Sequence, residues 1–325
     1  MVGQHLFIGL PRPQLTAQSR RLLDTIQPGG VVLFARNVDN AADLRALGEA
    51  LRTDWNHRPL IAIDQEQGRV NRLRNVVGEV PSITELKKSG NIERVRDFGC
   101  TTGRWLRDLG IDVDFAPVLD LELFDKSTDN ALHERCWGKT AEEVTRWAGA
   151  FLTGLEGERI VACPKHFPGL GAATLDSHEK LPTITRSREE LLTEDVAPYA
   201  RLLARLGMIM VGHGHYPAFD GEKPRPASLS RTVITDLLRK QLGFTGLVLT
   251  DDMDMGAISQ FGSVEHAVIE AFNAGADIML VCHSTEKMLA AHEALTKAVE
   301  SGRITRERLA ESQERIRQFR RRRNL

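Results

Sequence analysis

Short apolar runs recur along the chain, each followed by a longer stretch in which apolar positions return every three or four residues. The runs occupy residues 5–10, 31–34, 60–63, 113–117, 160–163, 208–211, 247–250 and 277–281. Between them, residues 15–26, 41–52, 92–109, 141–156, 188–206, 232–241, 264–273 and 284–300 carry helical spacing, and 305–322 adds a last helix. Strict alternation of short strand and helix implies a parallel sheet. Thr140 and Ser187 stand where N-caps belong, Glu190 follows Ser187 at capping-box distance, and Gly110, Gly157 and Gly275 come after helical runs. Eight strand–helix repeats predict an α/β protein closed into a (β/α)8 TIM-type barrel. An open doubly wound sheet is the alternative, but Gly29-Gly30 precedes a strand instead of opening a helix as a dinucleotide turn must. No linker or composition shift interrupts the series, so residues 1–325 are expected to form a single domain.

The longest irregular segments, 64–86, 120–140, 164–185 and 213–230, each follow a strand. In a barrel they share the C-terminal face, where barrel enzymes keep their sites.

Composition narrows the function. With 42% hydrophobic and 27% charged residues and a net charge of −1, the chain has an ample core and no global field to steer nucleic acid or an anionic membrane. The one charge run, Arg320-Arg321-Arg322-Arg323, ends a helical stretch and reads as a solvated helix terminus. Cys100, Cys136, Cys163 and Cys282 lack metal or disulfide spacing, and Cys163 and Cys282 fall in apolar runs as small buried hydrophobes. Neither a signal-like N-terminus nor a membrane-length apolar run is present, so a cytoplasmic protein with reduced thiols is expected.

The strand ends gather polar groups: Asp64 after the third run; Asp120 and, on its loop, Arg135 after the fourth; Lys165, His166, Asp176 and His178 after the fifth; His213 and His215 after the sixth; Asp251, Asp252 and Asp254 after the seventh. Asp251, directly after Gly246-Leu247-Val248-Leu249-Thr250, suits a nucleophile or cation stabiliser, whereas Asp252 and Asp254 suit helix capping equally well. Histidine is the side-chain type suited to acid/base work near neutral pH, so His178 is the candidate, and Asp176 two residues before it can orient the ring and raise its basicity. Lys165 has two readings, a Schiff-base nucleophile as in aldolases or a fixed donor to substrate hydroxyls alongside Asp64, Arg72, Arg135 and His166. Donors and acceptors together suit a polyhydroxylated ligand such as a sugar. In metal-dependent barrels a His-x-His pair arises on the first strand, so His213-Gly214-His215 is not expected to hold a metal.

These motifs resemble the glycoside hydrolase family 3 β-N-acetylhexosaminidases of the bacterial NagZ type, nearly end to end. The resemblance is carried by Asp64–Val70, Ala116–Asp120, Arg135-Cys136-Trp137-Gly138, Lys165–His178 and Leu238–Asp252. It implies a retaining exo-acting enzyme on terminal β-linked N-acetylglucosamine that needs no cofactor. Asp251 would form the covalent glycosyl-enzyme and His178 would act as acid/base with Asp176 as its partner. Asp64, Arg72, Arg135, Lys165 and His166 would hold the sugar. It also implies muropeptide substrates and peptidoglycan turnover; a β-glucosidase, β-xylosidase or phosphorylase of the same family, a Lys165 lyase and a catalytically silent sugar-binding barrel are the rivals. The chain ends soon after its eighth unit, so the acid/base is expected from the barrel itself. Gln67, Leu170 and Cys136-Trp137 depart from the family pattern and are expected to bear on aglycone preference.

Overall fold

The computed structural model describes residues 2–124, 131–177 and 179–323. Its eight strands are β1 (Leu6–Gly9), β2 (Gly30–Leu33), β3 (Leu60–Ile63), β4 (Val113–Asp114), β5 (Val161–Ala162), β6 (Met208–Val211), β7 (Leu247–Asp252) and β8 (Ile278–Val281). All pairings are parallel, in the order β5-β4-β3-β2-β1-β8-β7-β6. The ring closes just beyond β5: Met210 N donates to Pro164 O (2.9 Å), Phe167 N to Met210 O (2.9 Å) and Gly212 N to Phe167 O (3.0 Å). The expected barrel is present, and its seam is made by the segment that carries Lys165 and His166.

Alternate strand positions point inward. Phe7, Val32, Phe115, Cys163, Met210 and Leu249 fill the lumen, while the opposite faces pack under the surrounding helices. Burial of Cys163 and Cys282 is as expected, and it pushes both thiols well up. Thr140 and Ser187 cap their helices, Ser187 in a reciprocal box with Glu190. The helix Ala141–Gly157 runs one residue past its expected end, and Gly157 is its last residue.

Several elements differ from expectation; the stretch Thr232–Gln241 winds as a π-helix and the fifth strand keeps only Val161–Ala162. The fourth strand is short because Pro117 has no N–H for the ladder; its neighbour Leu119 re-engages by donating to Lys165 O (2.7 Å). The helical stretch 188–206 is broken into turns, including a π-helical turn Leu191–Asp195 closed by Val196 N on Leu191 O, just ahead of Pro198, whose missing N–H breaks the α ladder. The arginine run is not wholly solvated. Arg320 donates to Arg58 O (3.0 Å) and Gly29 O (3.2 Å), while Ile316 and Phe319 of the helix Arg306–Arg323 plug the lumen from below. Among the described residues no helix is long and apolar enough to cross a membrane.

The bottom of the barrel is fastened by Asp277, fully buried between Arg239 (2.5 Å), Arg315 (3.0 Å) and Ser312 (2.7 Å). Beside it His5 Nδ1 lies 2.9 Å from Asp277 O, and its ring meets Phe272 edge-on. Burial pushes the His5 pKa down from 6.5 to about 4. Between those values the unfolded chain binds a proton that the folded protein refuses, so stability falls as pH is lowered. The His5 share of that loss between pH 7 and 5 should be about 2 kcal/mol. Urea unfolding of wild type and His5→Asn at both pH values checks it; equal acid slopes in the two proteins would remove His5 as the cause.

Candidate active site

The loop after β3 is pegged from behind by Gln65. Its backbone N–H donates to Asp114 Oδ1 (2.9 Å), and its side-chain amide bonds Asn71 Oδ1 (3.0 Å) and Leu73 N (3.0 Å). Strand-like alternation then turns Asp64 and Glu66 to the mouth. Lys165 Nζ lies 2.5 Å from Asp64 Oδ1 and 2.7 Å from Glu66 Oε1. Arg135 takes Glu66 bidentately, Nε to Oε2 at 2.9 Å and Nη2 to Oε1 at 2.8 Å. Burial pushes the Glu66 carboxyl up, but Arg135 and Lys165 override it and hold the group below the usual carboxylate range. Lys165 shows the mirror image: burial works against its charge, while Asp64 and Glu66 win and keep the ammonium protonated. A Schiff-base lysine needs its amine neutral; this environment does the opposite.

The seam places the next pair. Asp120, fully buried, receives Leu170 N (2.7 Å) and sits 2.7 Å from His166 Nδ1. That contact turns His166 Nε2 toward Asp251, with Oδ2 at 4.0 Å. Leu170 is wedged over Gly212 and Gly214, where an added Cβ would meet its side chain at 3.1 Å and 2.9 Å.

On β7 the register with β8 slips: Leu249 faces Ile278, but Asp252 faces Leu280, so one extra residue is inserted. Such a bulge re-aims side chains, and here two consecutive aspartates reach the mouth. Asp252 is tied down by Cys282 N (3.2 Å) and Asp254 N (3.0 Å), with His283 Nε2 3.2 Å from its other oxygen. Asp254 receives His283 N (2.8 Å) ahead of the helix Thr285–Glu300. His213 bridges Ser228 Oγ (2.7 Å) and Asp252 O (3.0 Å), and His215 Nδ1 receives Arg225 N (3.2 Å), so this pair braces backbone. Asp251, its Oδ1 accepting from Asp252 N (2.8 Å), is the carboxylate presented beside His166.

These groups surround a cavity of about 370 Å³, within the range of small-molecule sites. Asp64, Arg72, Arg135, Lys165, His166, Asp176 and Asp251 all line it. His178 lies outside the described residues. Arg72 Nε is buried with no hydrogen-bond partner among the described residues. The guanidinium of Arg135 is engaged by Glu66 and by Ala131 O (3.0 Å). The sequence missed Glu66 and gave Asp120 no role, although Glu66 is two residues from Asp64 and so shares its face. It also missed His283, stacked near Phe34 at the rim (5.1 Å), where Arg36 covers the other ring at 4.3 Å. A hydrogen bond to Asp252 raises the pKa of His283.

Known proteins resemble this chain in sequence and fold. The profile of the glycosyl hydrolase family 3 N-terminal domain matches residues 2–319. A beta-hexosaminidase of Pseudomonas aeruginosa is 36% identical over 300 residues, covering 90% of this chain and 87% of that protein. A family 3 beta-N-acetylglucosaminidase from Paenibacillus sp. superposes with a TM-score of 0.94 at 38% identity over 99% of this chain, which spans 62% of that longer protein. NagZ from Neisseria gonorrhoeae, solved with N-trifluoroacetyl-D-glucosamine, gives a TM-score of 0.78 at 27% identity, covering 96% of this chain and 97% of that one. These likenesses make the protein a glycoside hydrolase. Within that class, the chain belongs to glycosyl hydrolase family 3.

Proposed function

We propose that the protein is a retaining exo-β-N-acetylglucosaminidase. The observation that carries this reading is the convergence of Asp251, the Asp120–His166 pair and the Asp64–Lys165–Glu66–Arg135 network on one cavity, in a chain whose relatives are named beta-hexosaminidases. Asp251 attacks the anomeric carbon as the bond to the leaving oxygen breaks, and His178 delivers a proton to that oxygen. His178 then takes a proton from water, whose oxygen attacks the same carbon and releases Asp251. Two displacements at one carbon retain its configuration. Asp176 supports the imidazolium. Lys165, held charged, and Arg72, which lines the cavity, donate to sugar hydroxyls. The same proposal takes terminal N-acetylglucosamine on muropeptides as the substrate, peptidoglycan turnover as the process and the cytoplasm as the place.

The p-nitrophenyl β-N-acetylglucosaminide should be hydrolysed with kcat/KM at least roughly 10–200-fold above the β-glucoside, the range one pocket contact supplies. Equal or reversed rates would move the enzyme to a glucosidase or xylosidase. A fluorosugar that traps the glycosyl-enzyme should add its mass to the peptide holding Asp251; labelling at Lys165 would point to the lyase instead.

A further inference from the structure

A second buried ionic pair lies behind the loop 165–186. Its departing limb, Phe167-Pro168-Gly169, is fixed by the barrel seam and by Tyr216 Oη donating to Gly169 O (2.7 Å). Its returning limb zips onto the segment after β6, Ile184 N donating to His215 O and His215 N to Pro182 O, both at 2.8 Å. Asp195, the last residue of the π-helical turn, sits between the limbs with its side chain fully buried. A Cβ added at Gly169, whose φ is +140°, would meet Asp195 Cβ at 2.9 Å and Oδ1 at 3.2 Å, so the glycine backbone rests directly on this carboxyl. On the other side Arg186 Nε stands 2.9 Å from Asp195 Oδ2. That contact is close but off the line of the N–H, and neither carboxyl oxygen receives a hydrogen bond from the described residues. Arg186 is anchored besides by Nη2 donating to Glu194, so the unmet groups are its Nε and the Asp195 carboxyl, an expensive arrangement in a protein interior. Burial pushes the Asp195 carboxyl up to about 7 against the pull of Arg186, with the Asp120 and Glu194 carboxylates pushing the same way; Tyr199 and Tyr216, buried nearby, carry no opposing charge. A π turn at such a point is a common companion of function.

We propose that Asp195 and Arg186 form a positioning pair that clamps the two limbs of the 165–186 loop and thereby aligns the proton transfer carried by that loop. This rests on the assignment of Asp176 and His178 to acid/base work. Neither residue of the pair lines the cavity, so it acts through the loop and not on the sugar.

The test compares full-length wild type, Asp195→Asn, Arg186→Gln and the double variant on two aryl β-N-acetylglucosaminides, a dinitrophenyl one that departs without a proton and an unsubstituted phenyl one that needs it. A misaligned proton donor should lower kcat/KM for the phenyl substrate by about 10²-fold in either single variant. For the dinitrophenyl substrate kcat/KM should hold within about threefold, while kcat and KM fall together because the glycosyl-enzyme waits for its base. The double variant should lose no more than the worse single, as coupled residues do. Equal losses on both substrates, or wild-type rates on the phenyl substrate in folded variants, would overturn the clamp. If wild type cleaves neither glycoside, the hexosaminidase reading fails instead, so the two failures are told apart. Should Asp195→Asn not fold, Arg186→Gln alone carries the same comparison.

Discussion

Alanine in place of Asp251 is expected to lower turnover of an aryl β-N-acetylglucosaminide by at least about 10⁴-fold, because a removed nucleophile leaves no covalent route and only residual binding catalysis. Affinity for the sugar should change far less, since the Asp64–Lys165–Glu66–Arg135 network is untouched. Azide should partly restore activity. It fits the space left by the carboxylate and attacks from the same face, giving a glycosyl azide of inverted configuration. The neighbouring carboxylate sharpens the test. Asp252 is tied to Cys282 N and Asp254 N and faces His283, so Asp252→Ala should weaken the bulge and activity without producing an azide-rescued enzyme. More than about one hundredth of wild-type turnover in Asp251→Ala, well above that expectation, would refute the nucleophile assignment.

The second large effect concerns a residue that need not touch the sugar. Glu66→Gln preserves shape and removes the charge that Arg135 and Lys165 share. Unpairing buried charges by deleting one partner typically costs about 3–5 kcal/mol, and two cations are left with Asp64 as their nearest carboxylate. Equilibrium urea unfolding at pH 7 should register that loss, accompanied by a raised KM as Lys165 leaves its position. Lys165→Met in the Glu66→Gln background should destabilise less than the sum of the single changes, because the Lys165–Glu66 contact that each single change breaks can be lost only once. A loss under about 1 kcal/mol, the scale of an exposed pair, would mean the network contributes little beyond surface ion pairing.

Much of the barrel was legible because parallel strands covered on both sides must be apolar throughout, and runs such as Val31–Leu33 and Ile278–Val281 have no other use. Asp64, Lys165, His166 and Asp251 were legible as ionisable groups at strand ends. Glu66 and Asp120 were harder to see, since a buried carboxylate is tolerable only beside its partners, and Arg135 and His166 come from other strands' loops. The β7 bulge was invisible because it is a property of register between two strands and not of either alone. The π turn ending at Asp195 was hidden inside a good helical pattern that Pro198 disrupts.

The seam of the barrel has a further meaning. Pro164, Phe167, Met210 and Gly212 join the first and last parts of the sheet, and Lys165 and His166 stand within that join. A substitution there cannot alter the grip on substrate without also disturbing the wall that makes the protein one piece. New specificities should therefore be reached most easily through segments outside the wall, such as Arg69–Val80, while the seam evolves slowly under two demands at once.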